Sequence, residues 1–149
     1  MSKLAYIAGP LFSQSERDFQ ERIADICERL EYGTFLPHRD AGLQTHGNAE
    51  QIFSADLGAL ERCDLVVANL DGPDVDAGTA WEIGYAVARG KSIIGVRTDR
   101  RCLEPWASVN VMIEQSSYIV TTLHALEGAL AAFSRGGINA TTPRPAGIT

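Results

Sequence analysis

The densest group of residues able to do chemistry lies in one stretch, Asp71 to Gly90, where Asp71, Asp74 and Asp76 precede Glu82 by a few residues. An apolar run, Leu65 to Leu70, comes just before and reads as a buried strand. The stretch itself reads as an acidic loop entering a helix that stops at Gly90. Carboxylates placed there would sit at the carboxyl edge of a parallel sheet, where open α/β folds hold their ligands. Such groups can chelate a hard cation, accept hydrogen bonds from hydroxyls, move protons or attack an electrophilic carbon. A cation is the weaker expectation, because neither an Asp-rich twelve-residue loop nor a nearby His pair accompanies the aspartates, and no metal is assigned. A triphosphate site is also disfavoured: there is no G-x-x-x-x-G-K-[ST], and Gly78 and Gly84 bracket a carboxylate instead of leaving a bare helix start. What remains is carboxylate catalysis on a neutral ligand, with Gly78 giving it room beside Glu82.

Each acid also has a purely structural reading. Thr79-x-x-Glu82 has capping-box spacing, so the Glu82 side chain could return to the Thr79 amide. Asp76 could be an ordinary turn aspartate. Against this stands the convergence of Tyr6, Asp56, Asp76 and Glu82 on one sheet edge.

The elements that must position these residues can be read along the chain. Leu4 to Ala8 is a short strand ending at Gly9-Pro10, where the missing Gly9 side chain lets another group approach the backbone. Ser13-Gln-Ser-Glu16 has capping-box spacing and opens an amphipathic helix striped by Phe19, Ile23, Ile26, Cys27 and Leu30. Thr34 to Leu36 is a second strand, followed by a polar loop from Pro37 through Asn48 of the kind that often forms a lid. Ala49 to Arg62 is a helix whose apolar face carries Asp56, either at its wet edge or overhanging a polar cavity. Ser92 to Val96 and Ser117 to Val120 read as strands, Trp106 to Ile113 as an irregular connection, and Leu123, Leu126, Leu130 and Phe133 stripe a closing helix. Alternating strands and helices predict one α/β domain over residues 1–135, a doubly wound, mainly parallel five-stranded sheet with helices on both faces. Residues 136–149 read as a flexible tail.

The totals narrow the partners. The chain has 149 residues, 45% hydrophobic and 21% charged, enough for one packed domain. A net charge of -6 argues against a nucleic-acid or anionic-membrane surface, so the expected ligand is small. Three cysteines without C-x-x-C spacing indicate neither a disulfide framework nor zinc. With no leader and no membrane-length apolar run, a cytoplasmic location is expected.

The pattern Tyr6-Ile-Ala-Gly9-Pro10, Asp56-Leu57, Cys63-Asp64-Leu-Val-Val-Ala68 and Asp76-x-Gly78-Thr79-x-x-Glu82-x-Gly84-Tyr-Ala86 resembles the nucleoside 2-deoxyribosyltransferase family. The resemblance runs from Leu4 to about Ile113 and is most specific from Asp76 to Ala86. It implies exchange of the base of a 2′-deoxynucleoside for another free nucleobase through a deoxyribosyl-glutamate ester, without a cofactor. It carries the nucleophile's role to Glu82, the steering of that glutamate to Tyr6, the binding of the sugar 5′-hydroxyl to Asp76 and work near the leaving base to Asp56. It also implies that Asn110 is lent to a neighbouring subunit's sugar site, hence a homo-oligomer of two or more chains. Gly9 and Gly78 complete the expected substrate site. Two alternatives stay open: a nucleoside 5′-monophosphate N-glycosidase, and a nonenzymatic nucleotide-binding module. His38, Arg39, Asp40 and Gln44 could meet the base, or could belong to a solvated loop.

Overall fold

The apolar runs form strands because each is short and bounded by turn residues, and the central ones, Leu65–Asn69 and Ser92–Val96, are buried along their whole length, as a sheet covered on both faces requires. The computed structural model describes residues 2–139. In chain order it contains β1 (Leu4–Ala8), α1 (Gln14–Arg29), β2 (Gly33–Phe35), α2 (Pro37–Asp40), α3 (Ala49–Arg62), β3 (Leu65–Asn69), α4 (Ala77–Ala88), β4 (Ser92–Val96), α5 (Val111–Ser116), β5 (Tyr118–Val120) and α6 (Leu123–Ser134). The sheet is parallel throughout, in the order β2-β1-β3-β4-β5. The chain therefore turns outward in opposite directions from β1 and β3, and the crevice beyond their carboxyl ends is the topological switch point.

Strand periodicity sorts the core into two layers. Ala5, Ile7, Leu65, Val67, Ile94 and Val96 pack with residues of α1 and α6 on one face. Tyr6, Ala8, Val66, Ala68 and Ile93 pack with residues of α3, α4 and α5 on the other. The alternation is what sends Tyr6 to the layer that contains Asp56 and Glu82. In register, Tyr6 lies between Phe35 and Val66, and its ring stacks on Phe35 with centroids 5.5 Å apart.

Local signals set the helix starts. The Ser13–Glu16 capping box forms as its spacing predicts, with Glu16 N donating to Ser13 Oγ at 3.1 Å and Ser13 N donating to Glu16 Oε1 at 2.7 Å. Pro37 to Asp40, read above as loop, is one helical turn with Pro37 at its first position, where a missing N–H costs nothing. The segment read as an irregular connection ends in α5, which is capped by the Asn110 side chain accepting from Met112 N at 2.9 Å. Of the first residues of the expected tail, Ile138 is buried in the layer that includes α6, while Gly136, Gly137 and Asn139 are exposed. The rest of the expected tail lies outside the described residues. None of the described helices is long and apolar enough to cross a membrane.

Candidate active site

Asp76 is the N-cap of α4: its Oδ2 accepts from Thr79 N at 2.9 Å and from Thr79 Oγ1 at 3.0 Å. That arrangement displaces the Thr79–Glu82 capping box, which does not form, because Thr79 is already inside the helix and fully buried. Glu82 is left one and a half turns further on with nothing to cap. Its Oε2 is sealed from solvent and has no hydrogen-bond partner. The carboxyl of Asp56 on α3 is in the same condition at Oδ1, as is the Tyr6 hydroxyl from β1. Buried polar atoms are paired almost everywhere in folded proteins, so three orphans in one layer single this edge of the sheet out as the candidate site.

The electrostatics follow from burial. Desolvation pushes the Glu82 pKa up to about 8; the Tyr6 hydroxyl beside it pulls the other way, and the charges of Asp56 and Asp76 push it higher. Tyr6 and Glu82 are neighbours that feel each other without meeting full hydrogen-bond geometry. Tyr6 is held far above the usual phenol range, first by burial and then by Glu82 and Asp56, so it stays a neutral donor. Asp56 is raised to about 6 by desolvation. Two carboxyls thus share an environment in which one proton is easily kept.

A cleft of about 850 Å³ opens over this edge, lined by Asp56 and Asp76, by Gly9 to Phe12, and by Gly42 to Gly47. Gly9 has no room for a side chain: a Cβ would run into the amide of Gln20, which packs against it from α1. At Gly78 a Cβ would come within 3.3 Å of Asp76 Oδ2 and crowd the cap. Of the four loop residues proposed to meet a base, only Gln44 lines the cleft. Arg39 is tied to Glu28, Thr34 and Asp40, and His38 to Glu21 at 2.8 Å. Asn110 lies elsewhere, in an apolar groove of about 480 Å³ between α4 and α5 that also includes Gly84 and Met112.

The three loop aspartates divide into separate tasks. Asp71 accepts from Thr98 N at 2.7 Å, Asp99 N at 2.8 Å and Thr98 Oγ1 at 2.5 Å, which ties the loop after β3 to the loop after β4. Asp74 bonds the neighbouring Val75 amide. Among the described residues no group of three or more His, Cys, Asp or Glu is placed to hold a metal ion.

Arg17, passed over in the sequence as one of the polar residues of an amphipathic helix, lines the cleft with Phe12 and Ile52. Its guanidinium donates to Leu11 O at 2.8 Å and Phe12 O at 3.2 Å and so props the turn after β1. The available signal was its position on the first turn beyond the Gly9-Pro10 break.

A family model for nucleoside 2-deoxyribosyltransferases matches residues 5–123, from β1 into α6. The chain belongs to this family. An uncharacterized protein of Schizosaccharomyces pombe is 42% identical over 106 residues, covering 64% of this chain and 50% of its own length. The chain thus spans about half the length of that curated relative. A conserved protein of Enterococcus faecalis superposes with a TM-score of 0.76 at 25% identity, covering 89% of this chain and 99% of that one. The 2-deoxyribosyltransferase of Bacillus psychrosaccharolyticus gives 0.71 at 22%, with 85% and 95% covered. The CMP N-glycosidase of Clostridium botulinum gives 0.58 at 21%, with 88% and 99% covered. At such identities the last two share the deoxyribosyltransferase fold with this chain and say no more. The matched family is one of enzymes, the nucleoside 2-deoxyribosyltransferases.

The buried carboxyl carries a signature that can be measured without substrate. Folding raises the Glu82 pKa from 4.5 to about 8, so between those values the folded chain keeps a proton that the unfolded chain has lost. This contribution to stability is most favourable below about pH 4.5 and is lost as the pH rises towards 8; Asp56 adds the same sign at lower pH, up to about 6. Glu82→Gln removes the ionisation while keeping the shape. By chemical denaturation the variant should lie within about 1 kcal/mol of the wild type near pH 5 and gain on it as the pH rises to 9, with a ceiling of about 5 kcal/mol set by the rise of the Glu82 pKa to about 8. Parallel stability curves across that range would mean that Glu82 ionises freely.

Proposed function

We propose that this chain is a nucleoside 2-deoxyribosyltransferase in activity as well as in family, with Glu82 as its nucleophile. The observation that carries the reading is the unpartnered, desolvated Glu82 carboxyl with the Tyr6 hydroxyl beside it and Asp56 in the same layer. A carboxylate with no structural bond to break is free to attack carbon. One set in a desolvated pocket stabilises a developing oxocarbenium ion more strongly than water would.

In the proposed reaction Glu82 attacks C1′ of the deoxyribose as the C1′–N bond breaks, and the electron pair of that bond leaves with the base. Asp56, with a pKa raised to about 6, delivers the proton that the departing base nitrogen needs. A second base then attacks C1′ from the side the first one left, the ester bond returns its electrons to Glu82, and the proton released by the incoming base goes back to Asp56. Two displacements give net retention. Tyr6 stays protonated throughout, and its hydroxyl holds the Glu82 carboxylate in line. The productive enzyme has Glu82 ionised and Asp56 protonated; in the empty site the order of the two pKa values, about 8 for Glu82 and about 6 for Asp56, puts the shared proton on Glu82, so the proposed reaction requires that proton to pass to Asp56 as substrate binds. Asp76, whose Oδ2 is used by Thr79, retains its other oxygen as an acceptor for the sugar 5′-hydroxyl.

Incubation with a 2′-deoxynucleoside and a different free base should yield the exchanged nucleoside, and Glu82→Gln should lose at least about a thousandfold in kcat while remaining folded. Release of free base alone, with no exchanged product at high acceptor concentration, would make the protein a hydrolase. Binding without turnover would make it a nucleoside-binding module.

We further propose a homo-oligomer in which Asn110 serves a neighbouring subunit. Asn110 caps α5 in a groove that shares no lining residue with the cleft, and Val111 and Met112 are exposed beside it. Mixed oligomers of Glu82→Gln and Asn110→Ala chains should recover activity that neither variant shows alone. A fully active monomer by light scattering would refute the shared site.

The Asp76 charge also selects the substrate. Lys91 donates to the carbonyls of Glu61 and Cys63 at the end of α3, Arg39 is held on the outer edge of β2, and neither lines the cleft, while Arg17, which does line it, has its guanidinium engaged by Leu11 O, Phe12 O and Gln14 Oε1. Unit charges about 4 Å apart at an effective dielectric near 20 interact by about 4 kcal/mol. Deoxynucleosides should therefore exceed their 5′-monophosphates in kcat/KM by at least about tenfold, with Asp76→Ser narrowing the gap. Equal or better use of the monophosphate by the unmodified chain would favour the N-glycosidase reading.

A further inference from the structure

The loop that delivers Asp76 is built around an unusual cation. Arg97, the first residue after β4, is 3% exposed and has no carboxylate partner among the described residues. Its guanidinium is spent on three backbone carbonyls: Nη1 donates to Leu70 O at 2.6 Å and to Gly72 O at 2.7 Å, and Nη2 donates to Arg101 O at 2.7 Å. Burying a charge against neutral acceptors is costly, and buried cations are ordinarily paired with an anion. The sheet does not require this one, since the backbone makes its own bonds on either side, Leu70 N to Val96 O at 2.9 Å and Arg97 N to Val120 O at 2.9 Å.

The geometry points to Arg97 as a positioning residue that sets the sugar-binding carboxylate Asp76 through the backbone of residues 70–76. Leu70 and Gly72 are the two carbonyls at the point where the chain leaves β3. Gly72 has a φ of 124°, a conformation that favours glycine, and it turns the chain back towards α4. From there only Pro73, Asp74 and the buried Val75 separate the clamp from Asp76, so a shift at Gly72 is handed on to the N-cap with little slack to absorb it. Asp71 and Asp99 also join this loop to residues 98–99 from the outside, by bonds from Thr98 N, Asp99 N and Gly72 N, and Arg97 adds a grip on both sides of the turn, at Leu70 O and Gly72 O. A rigid planar fork of donors suits three divergent carbonyls, whereas a lysine offers one point charge and can hold part of the set.

The inference rests on the proposed role of Asp76, and two readouts separate the fate of each. The first is amide hydrogen exchange in the absence of substrate. Arg97→Met, which keeps the stem and removes the donors, should speed exchange in residues 72–79, including the Thr79 amide capped by Asp76, while the amides of α1 stay as protected as in the wild type. Arg97→Lys should restore part of the protection. The second is kinetic. With a 2′-deoxynucleoside, Arg97→Met should raise KM by about tenfold with a much smaller change in kcat. With a 2′,5′-dideoxynucleoside, which has no 5′-hydroxyl for Asp76 to bind, it should change KM little, and in an Asp76→Asn background it should add nothing. Unchanged exchange over 72–79, or an equal loss on both substrates, overturns the inference. If the methionine chain does not fold, the lysine variant carries both measurements. A wild type that turns over neither nucleoside would sink the functional reading, while the exchange data would still decide whether Arg97 positions Asp76.

Discussion

Everything at the cleft depends on the desolvation of two carboxyls that have no partner. Glu82 Oε2 and Asp56 Oδ1 are closed off from water beside the Tyr6 hydroxyl, and the fold leaves all three unsatisfied. An orphaned buried group destabilises the chain by about 1–3 kcal/mol, so the arrangement persists against its own energetics. The rest of the structure over-determines it. Strand alternation directs Tyr6 into the α3–α4 layer, the stack on Phe35 fixes the ring, and the Asp76 cap fixes the start of the helix that carries Glu82. On the proposed reading this stored cost is recovered when a sugar with developing positive charge settles over Glu82.

The surroundings of the site are organised by backbone clamps more than by side-chain packing. Asp71 and Arg97 join the loop after β3 to the loop after β4, and Arg17 props the turn after β1. Lys91 donates to Cys63 O at 2.7 Å at the end of α3, while Glu61 near that end accepts from Arg89 of the α4 terminus at 2.8 Å and from Tyr85. These contacts couple the helix of Asp56 to the helix of Glu82. The exposed ones contribute little individually, since surface ion pairs are worth about 0–1 kcal/mol, whereas the buried Arg97 fork is costly to disturb.

The fold was legible because its signals are local and periodic. The alternation within Leu4 to Ala8, the stripe on α1 and the Ser13–Glu16 box each need only neighbours a few residues away. The site was legible in part, through the spacing of Asp76, Gly78 and Glu82. Two local readings give way in the structure, for different reasons. Thr79–Glu82 has perfect box spacing, but Asp76 takes the cap first and draws Thr79 into the helix. Pro37 to Asp40 looked like loop because one turn of helix has too few residues to show a period. Arg17 and Phe12 were missed because a turn of the backbone, and no sequence pattern, brings them to the cleft. The role of Arg97 could not be read at all, since nothing in a sequence says that a cation will choose carbonyls.

The central claim is that Glu82 forms the bond to carbon. The most direct measurement is to react the protein with a 2′-deoxynucleoside in the absence of acceptor base, quench in acid, digest and map the modified peptide by mass spectrometry. The account predicts a deoxyribosyl ester on Glu82, absent from Glu82→Gln and discharged when a second base is added before the quench. An ester on another residue, or steady turnover with no adduct trapped under any condition, would contradict it.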